Sequence, residues 1–318
     1  MREYLIKRFV LLIPTFIGIT LVVYAVLLLL PGDPVDVLLG QEYDPAIAQR
    51  LRAEWGLDQP ILVQYTKWLW HILQGDWGRS MFSRKPVLDE IMAKLPLTLE
   101  LVVLALFFEL LISVPAGVIS AVRPYTWWDY GASTFALIGV SIPSFFLGIL
   151  LFLTFGLWLG WLPVQGYVPL SESISANLRH LLLPTIALGV ARTAILTRLV
   201  RASMLEVIRQ EYVTTARSKG LAETTVITKH ALKNALIPAV TVLGLQVGFL
   251  VGGAIIIEKL FALPGIGSYG IDAISNRDYP QVLGFILVSA LVFQLANLGV
   301  DLVYCFLDPR IRYGEAEA

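Results

Sequence analysis

Six apolar runs, each about as long as a bilayer is thick, constrain this chain more than any other feature. A helix rises 1.5 Å per residue, so roughly 20 apolar residues cross the hydrocarbon core of a membrane. We therefore predict an all-α integral membrane protein with six transmembrane helices. The runs occupy Phe9–Leu30, Leu97–Val122, Gly131–Leu159, Leu181–Val200, Ala235–Ile257 and Val282–Leu307.

The composition supports this class and excludes others. Of 318 residues, 57% are hydrophobic and 15% are charged, whereas soluble domains average about 25% charged residues. The single cysteine, Cys305, and three scattered histidines give no disulfide framework and no metal site. The sequence has no G-x-x-x-x-G-K-[ST], G-x-S-x-G or H-E-x-x-H motif. We predict a chain with no enzymatic activity, no catalytic residues and no cofactor of its own.

Basic residues beside the short loops predict the orientation. Arg2, Lys7 and Arg8 precede the first run, and the basic stretch Arg201–Pro238 separates the fourth run from the fifth. Short loops rich in lysine and arginine stay in the cytosol. The first run is too long for a signal peptide and lacks a cleavage site of small residues, so we interpret it as a retained anchor. Both termini are then cytoplasmic.

A long polar segment at residues 31–96 is predicted to form a helical periplasmic insertion between the first two spans. One helix is expected to begin after Asp44 and to end before Gly56, and a second to begin at Pro60 and to end before Gly75. The apolar face of the second helix is expected to lie on the membrane or on the protein's own spans. The predicted divisions are 1–30 for the N-terminus and span one, 31–96 for the insertion, 97–307 for spans two to six with a cytosolic loop at 201–235, and 308–318 for the C-terminal tail.

Ionisable residues occur inside the predicted spans, where each costs about 2.5–3.5 kcal/mol on insertion scales. Such residues are usually paired or functional. We predict that Glu109 forms a structural ion pair with Arg192 or Arg198, with contact to a transported substrate as the alternative. Asn297 and Asp301 lie four residues apart on one helix face and are expected to hold the spans together.

Glycines recur every four residues in the fifth run, and small residues let another backbone approach closely. Packing inside this subunit and contact with a second subunit across a shared pathway are both open interpretations. The polar side chain of Gln246 in the same run favours a helix face that meets water or substrate. The residues assigned to packing or to a translocation pathway are Gly244, Gly248, Gly252, Gln246, Ser141 and Pro143.

The sequence GIGSYG at Gly265–Gly270 matches the dinucleotide-binding pattern G-x-G-x-x-G. That pattern has meaning only between a strand and a helix. Here it follows Pro264 in a predicted outer loop, so we interpret it as a turn.

The basic stretch Arg201–Pro238 carries six basic and three acidic residues, a net charge of +3. Its residues favour helix formation, and Gly220 lies near its middle. Because the chain has no nucleotide site, a structured cytosolic loop of this kind indicates a docking surface for a protein that supplies energy.

This stretch resembles the conserved cytosolic loop, often called the EAA loop, of binding-protein-dependent ABC importer permeases. Thr214–Gly220 stands where the family has E-A-A-x-x-x-G, but the chain has Thr-Thr-Ala and a longer gap to Pro238. These departures are similar to the peptide/nickel branch, whose loops read YxxTARxKGL…HALRNAxxP. The matching residues are Tyr212, Thr215, Ala216, Arg217, Lys219, Gly220, Leu221, His230, Ala231, Leu232, Asn234, Ala235 and Pro238.

The resemblance covers nearly the whole chain. It includes RFVLLIPTFIGITLVVY…PGDP, GLDQP, GDWGRSM, SIPSFFLG, PGIG, RDYP and VDLVY…DPRIRY. Dipeptide or glutathione permeases of the first-subunit type are the most similar. The resemblance implies the type I ABC importer permease fold in a bacterial inner membrane. It also implies a second homologous permease subunit, two ATP-binding subunits that bind ATP and Mg, and a periplasmic substrate-binding protein.

The implied function is import of short peptides from periplasm to cytoplasm by alternating access, coupled to separate ATPase subunits through the helix at 211–221. A nickel-chelate importer, an ion-coupled transporter using Glu109 or Asp301, and a non-transporting scaffold remain alternatives. Arg217 and Lys219 are expected to pair with acidic groups or helix carbonyls of the ATPase. The predicted coupling residues are Glu211, Tyr212, Thr215, Ala216, Arg217, Lys219, Gly220 and Leu221. The predicted contacts of the outer loops with the binding protein are Pro264, Gly265, Gly267, Arg277 and Asp278.

Overall fold

The computed structural model describes residues 2–29, 33–40 and 43–307, and this part of the chain contains helices and no β-strand. The predicted all-α class is therefore confirmed. The helices are α1 (Arg2–Leu29), α2 (Pro34–Leu39), α3 (Pro45–Trp55), α4 (Ile61–Leu73), α5 (Val87–Val122), α6 (Trp127–Ser141), α7 (Ser144–Leu151), α8 (Ile174–Ile208), α9 (Glu211–Ser218), α10 (Glu223–Thr225), α11 (Leu232–Ala235), α12 (Ile237–Leu260), α13 (Ile266–Asn276) and α14 (Tyr279–Leu307). Two π-helical segments, Phe152–Trp158 and Val226–Ala231, continue α7 and join α10 to α11.

Four helices are long and apolar enough to cross a membrane: α5, α8, α12 and the Tyr279–Gly299 part of α14. The pair α6 and α7, with its π-helical continuation, makes a fifth span if it is counted as one. The described apolar part of α1, Val10–Ala25, is shorter than a full span. The chain is a multi-pass membrane protein, and the predicted count of six spans is not established.

The third predicted span, Gly131–Leu159, is broken rather than continuous. Its two halves meet at an angle of 102°. Ile142 is extended at the break (φ −91°, ψ 121°) and Pro143 follows it. Proline has no N–H to donate and disfavours the helical conformation of the residue before it, so the helix breaks here, which hydropathy alone does not reveal.

Two other spans extend beyond their predicted bounds. Helix α5 begins at Val87 instead of Leu97, so the end of the predicted insertion belongs to a long helix. Helix α8 runs past both ends of the predicted Leu181–Val200 span. Hydropathy marks where a helix can enter the lipid, whereas helical hydrogen bonding continues beyond that boundary. The C-terminal extension of α8 leads directly to the basic loop.

The described residues divide into two compact units. One, here called the core unit, contains 99–263 and the end of α14 from Leu295; the other, the insertion unit, contains 2–98 and 264–294. In the core unit α8 packs against α6, α7 and α12. Small residues allow this close approach, since a Cβ on Gly139 would lie 3.0 Å from the Cβ of Ala194.

The two helices predicted in the insertion are confirmed. The Asp44 carboxylate accepts a hydrogen bond from the Ala46 N–H (2.8 Å), and Gly56 ends α3 in the left-handed conformation at φ 70°. Helix α4 is followed by Gly75, also at positive φ. The guanidinium of Arg52 joins α3 to α2.

The apolar face of α4 lies on α1, which resolves the two alternatives left by the sequence. The hydroxyl groups of Tyr65 and Thr20 are 2.9 Å apart, and the Tyr24 hydroxyl donates to Gln64 (3.1 Å). The rings of Tyr24, Tyr65 and Trp68 also contact one another. The insertion is thereby attached to the first helix of its own chain.

The GIGSYG sequence forms the start of α13, so its interpretation as a turn is wrong. Gly265 precedes the helix and Gly270 lies within it. A Cβ on Gly270 would lie 2.6 Å from the ring of Phe285, so glycine at this position lets α13 pack directly on α14. Tight helix packing, rather than phosphate binding or a turn, accounts for this glycine.

Asp278 is a buried structural carboxylate. It accepts hydrogen bonds from the Ser80 hydroxyl (2.6 Å) and the Met81 N–H (3.1 Å), and so fastens the insertion to the start of α14. Gly265 and Gly267 are buried as well. These three positions are thus buried in this chain, and their predicted contact with a binding protein stays a prediction. Pro264 and Arg277 are exposed, and their contact with a partner stays a prediction.

We expect Asp278→Ala to destabilise the full chain by about 2–3 kcal/mol, because it leaves the Ser80 hydroxyl and the Met81 N–H buried without an acceptor. Thermal unfolding in detergent measures the effect. Asp58→Ala is the matched control, since this exposed carboxylate lies in the same unit, and we expect a change within about 0.5 kcal/mol. Equal unfolding temperatures for the two variants would contradict the anchoring role.

Candidate functional site

The basic loop between α8 and α12 is a folded structure built around α9. One face of α9 is buried through Val213 and Ala216, and the opposite face is exposed. The helical conformation predicted for this segment is confirmed. Ala216 is buried against its own chain, and its predicted role in coupling stays a prediction. The other proposed coupling residues lie on the exposed side: Glu211, Tyr212, Thr215, Arg217, Lys219, Gly220 and Leu221.

An apolar cluster joins α9 to the membrane helices of the core unit. Close-packed apolar cores transmit displacement because they contain little free volume. The cluster therefore connects α9 to both α8 and α12. The buried members of the cluster are Ala121, Leu196, Val200, Met204, Val207, Val213, Ala216, Val226, Ile227, Ala231, Ala235 and Ala239.

Gly220 ends the α9 segment in the left-handed region at φ 75°. Its N–H donates to the carbonyl of Arg217 (2.9 Å), and no atom lies within 4 Å of the position that a Cβ would occupy. The space around Gly220 is open, so the backbone conformation alone selects glycine here. The exposed Leu221 follows this turn and begins the return of the chain.

The Tyr212 hydroxyl connects the outgoing and returning parts of the loop. It accepts a hydrogen bond from the Asn234 side-chain amide (2.7 Å) and is 3.4 Å from the His230 carbonyl, to which it donates. These three residues belong to the motif that the chain shares with peptide/nickel permeases. The side-chain hydrogen bond explains why a tyrosine and an asparagine occur together at this spacing, which the sequence alone did not reveal. His230 contributes only its backbone carbonyl, so the bond does not require a histidine there.

Arg217 forms an ion pair inside the loop. Its guanidinium donates to the Glu223 carboxylate, with the shortest contact at 2.7 Å, and this bond lowers the pKa of Glu223. Both side chains are exposed, so the pair contributes little to stability and a partner's carboxylate can compete for the arginine. Lys219 is exposed and forms no ion pair within the described residues. Pairing of Arg217 and Lys219 with an ATPase remains a prediction.

Asp129 and Arg201 form a two-point ion pair that sequence reasoning missed. The arginine Nε and Nη2 donate to the two carboxylate oxygens at 2.7 and 2.8 Å. Asp129 is buried and also accepts hydrogen bonds from the Ser120 hydroxyl and the Tyr125 N–H. The pair fastens the ends of α5 and α6 to α8. The available signal was an acidic residue in the first turn of the helix that leads into the third apolar run, because a buried carboxylate needs a counter-charge.

The structure does not contain the ion pair predicted for Glu109. This carboxylate is fully buried in α5, but neither Arg192 nor Arg198 lies within 4 Å of it. The Gln246 amide lies beside it without meeting hydrogen-bond geometry. Arg192 acts on Glu109 electrostatically from a greater distance, and the exposed Arg198 has no ion pair among the described residues.

Arg192 instead lies over an aromatic ring. Its Cζ atom is 4.8 Å from the centre of the Phe249 ring on α12. A cation–π contact contributes about 0.5–2 kcal/mol, less than the roughly 2.5–3.5 kcal/mol cost of an arginine at the centre of a span. The half-buried guanidinium therefore requires water or an anion in addition to the ring.

The glycine strip of α12 passes from a buried to an exposed environment. Gly244 is buried, Gly248 is half-buried, and Gly252 is exposed with open space around it. Packing within the subunit thus accounts for the first glycine, while contact with a second subunit remains a prediction for the last. Large apolar residues on the exposed side of α12 are Leu245, Phe249 and Ile256.

The remaining proposed pathway residues lie in different settings. Ser141 and Pro143 are exposed at the break between α6 and α7, and the Ser141 hydroxyl donates to the Leu137 carbonyl (2.8 Å). Asn297 is half-buried in α14. The Asp301 side chain and the predicted tail 308–318 lie outside the described residues, so their predicted roles stay predictions.

Comparison with known proteins identifies the family. The family described as binding-protein-dependent transport system inner membrane component matches residues 113–313, and the N-terminal family of the membrane components of these systems matches residues 1–102. The chain therefore belongs to the binding-protein-dependent transport system inner membrane components. It is a permease subunit and acts within a transporter complex.

Two full-length relatives and one solved structure agree with this family. The dipeptide transport system permease protein of Alkalihalophilus pseudofirmus is 42% identical, covering 98% of this chain and all of the relative. The glutathione transport system permease protein of Escherichia coli is 41% identical over the same shares. The fold is similar to that of the MetNI methionine ABC transporter, with a TM-score of 0.53 and 20% identity over 69% of this chain and 96% of that one. The chain thus has the type I ABC importer permease fold.

We expect Arg201→Ala to lower the stability of the full chain by about 2–3 kcal/mol, because it leaves the buried Asp129 carboxylate without its counter-charge. The effect is expected below that of a fully buried pair, since the Arg201 side chain keeps 30% exposure. Denaturation in detergent is the measurement. Arg198→Ala, on the same helix and without an ion pair, serves as control, and an equal loss in both variants would count against the pair.

Proposed function

We propose that this chain is the membrane permease of an ATP-driven importer that moves short peptides, such as dipeptides or glutathione, from periplasm to cytoplasm. The observation that carries the proposal is the exposed helix α9, anchored through its buried face to α8 and α12. The family and the two relatives named above supply the substrate class. The chain itself performs no chemistry on its substrate.

The proposed complex contains a second homologous permease, two ATP-binding subunits and a periplasmic substrate-binding protein. ATP and Mg are bound by the ATP-binding subunits, and this chain carries no cofactor. Its termini and α9 lie in the cytoplasm, as the basic residues of the loop indicate. The exposed Pro264 and Arg277 are the proposed periplasmic contacts for the binding protein.

The proposed mechanism is alternating access. Closure of the ATP-binding subunits displaces α9, and the apolar cluster beneath it passes the displacement to α8 and α12. ATP binding shifts the conformational equilibrium only if the ATPase contacts α9 differently in the two states. The rigid connection of α9 to two spans supplies such a difference, because α9 cannot move without them.

Replacement of Gly220 tests the coupling. We expect Gly220→Val to reduce peptide uptake about tenfold or more in proteoliposomes that contain the complete complex, because valine cannot adopt φ 75° without strain. Gly220→Asn is the matched control, since asparagine tolerates this conformation and the surrounding space is open, so uptake stays within about threefold. Normal uptake by the valine variant, with the ATPase still bound, would contradict coupling through this segment.

The substrate class has a direct test. In the reconstituted complex we expect di- and tripeptides or glutathione to stimulate ATP hydrolysis when the binding protein is present, because loaded binding protein favours one conformation of the permease. Nickel chelates and longer peptides are measured alongside. Stimulation by sugars or by metal ions alone, with none by peptides, would overturn the peptide assignment.

A further inference from the structure

Arg192 lies at the middle of α8, a membrane-spanning helix, and its charge is not neutralised by a contact within the described chain. It forms no ion pair or hydrogen bond there, and its side chain is half-buried. It therefore has a face open to the surroundings of the core unit. An arginine at this depth requires a water-filled space or an anion on that face.

Phe249 lies beside the arginine. The ring is 62% exposed and lies on the side of α12 that also carries the exposed Gly252. A contact with an aromatic ring uses none of the guanidinium N–H donors as hydrogen bonds to a carboxylate. The donors of Arg192 thus remain free, and the geometry suits a planar carboxylate that binds edge to edge.

Glu109 and Gln246 lie in the protein interior near this arginine. Both are buried, at 0% and 3% exposure, so neither is accessible to a ligand in this conformation. The Glu109 carboxylate makes no direct contact with the guanidinium. Arg192 therefore has the Phe249 ring as its one charge-stabilising contact among the described residues, and its exposed part is left for another group.

We propose that Arg192 is a carboxylate-binding residue of the translocation pathway and contacts the C-terminal carboxylate of a peptide during its passage. The inference rests on the proposed function, which supplies the substrate class. A terminal carboxylate is common to peptides of every sequence, so one arginine can serve them all. A single half-exposed contact is also weak enough for release, which transport requires.

A comparison of substrates isolates this contact. Uptake of a dipeptide and of its C-terminal amide is measured in proteoliposomes with the complete complex, for the wild-type chain and for Arg192→Gln. The binding protein is the same in every case, so its own selectivity cancels from the change in the acid-to-amide ratio. We expect Arg192→Gln to lower this ratio about tenfold, the size expected for loss of a hydrogen bond to a charged group.

Arg198→Gln is the matched control, because it removes an exposed arginine from the same helix, and its ratio is expected to equal that of the wild type. Ligand-stimulated ATP hydrolysis is expected within about twofold of wild type in Arg198→Gln. A purely structural role for Arg192 would lower uptake of the acid and of the amide alike and would leave their ratio unchanged. If Arg192→Gln does not assemble into the complex, Arg192→Lys is measured instead, because lysine keeps the charge and loses the two-point geometry. For this variant, an acid-to-amide ratio between the wild-type value and a tenfold loss supports the inference, and a wild-type ratio overturns it.

The two proposals fail in different ways. If the wild-type complex imports no peptide, the proposed function is wrong. If it imports peptides and the acid-to-amide ratio is unchanged in Arg192→Gln, the function stands and Arg192 has no contact with the carboxylate.

Discussion

The apolar contact between α9 and the C-terminal part of α8 is the interaction on which the proposed coupling depends. Val213 and Ala216 are buried in one cluster with Met204 and Val207, and the same cluster continues to Ala239 in α12. A loop without this core would move independently of the spans and could not transmit work. Because its core is close-packed, the exposed face of α9 is mechanically continuous with the membrane helices.

Charges in and near the membrane serve two different purposes in the core unit. Asp129 and Arg201 satisfy each other at close range and hold three helices together. Arg192 and Glu109 do not meet, and the arginine lies over the Phe249 ring without a hydrogen bond to any described residue. A buried charge is tolerated when a counter-charge pairs with it at close range. A charge without such a partner is retained only where it meets water or a ligand. The difference separates a structural site from a candidate functional one.

Much of the local structure was predictable because its causes are local. The cap at Asp44, the left-handed residues Gly56 and Gly220, and the apolar runs depend on neighbouring residues and on helix geometry. The break at Pro143 was missed because hydropathy does not register a lost N–H. Pairings between distant residues were also missed, as between Asp278 and Ser80 or between Tyr212 and Asn234, since no local pattern encodes them.

By itself, the sequence determined that this is a helical membrane protein with a folded basic loop and that it resembles importer permeases. Composition, periodicity and motifs depend on residues that are close together in the sequence. The tertiary structure decided which of the candidate residues are accessible. It buried Ala216 and Asp278, exposed the outer face of α9, and left Glu109 apart from Arg192. Accessibility and partners depend on how helices distant in sequence pack together, and that packing is a property of the folded chain alone.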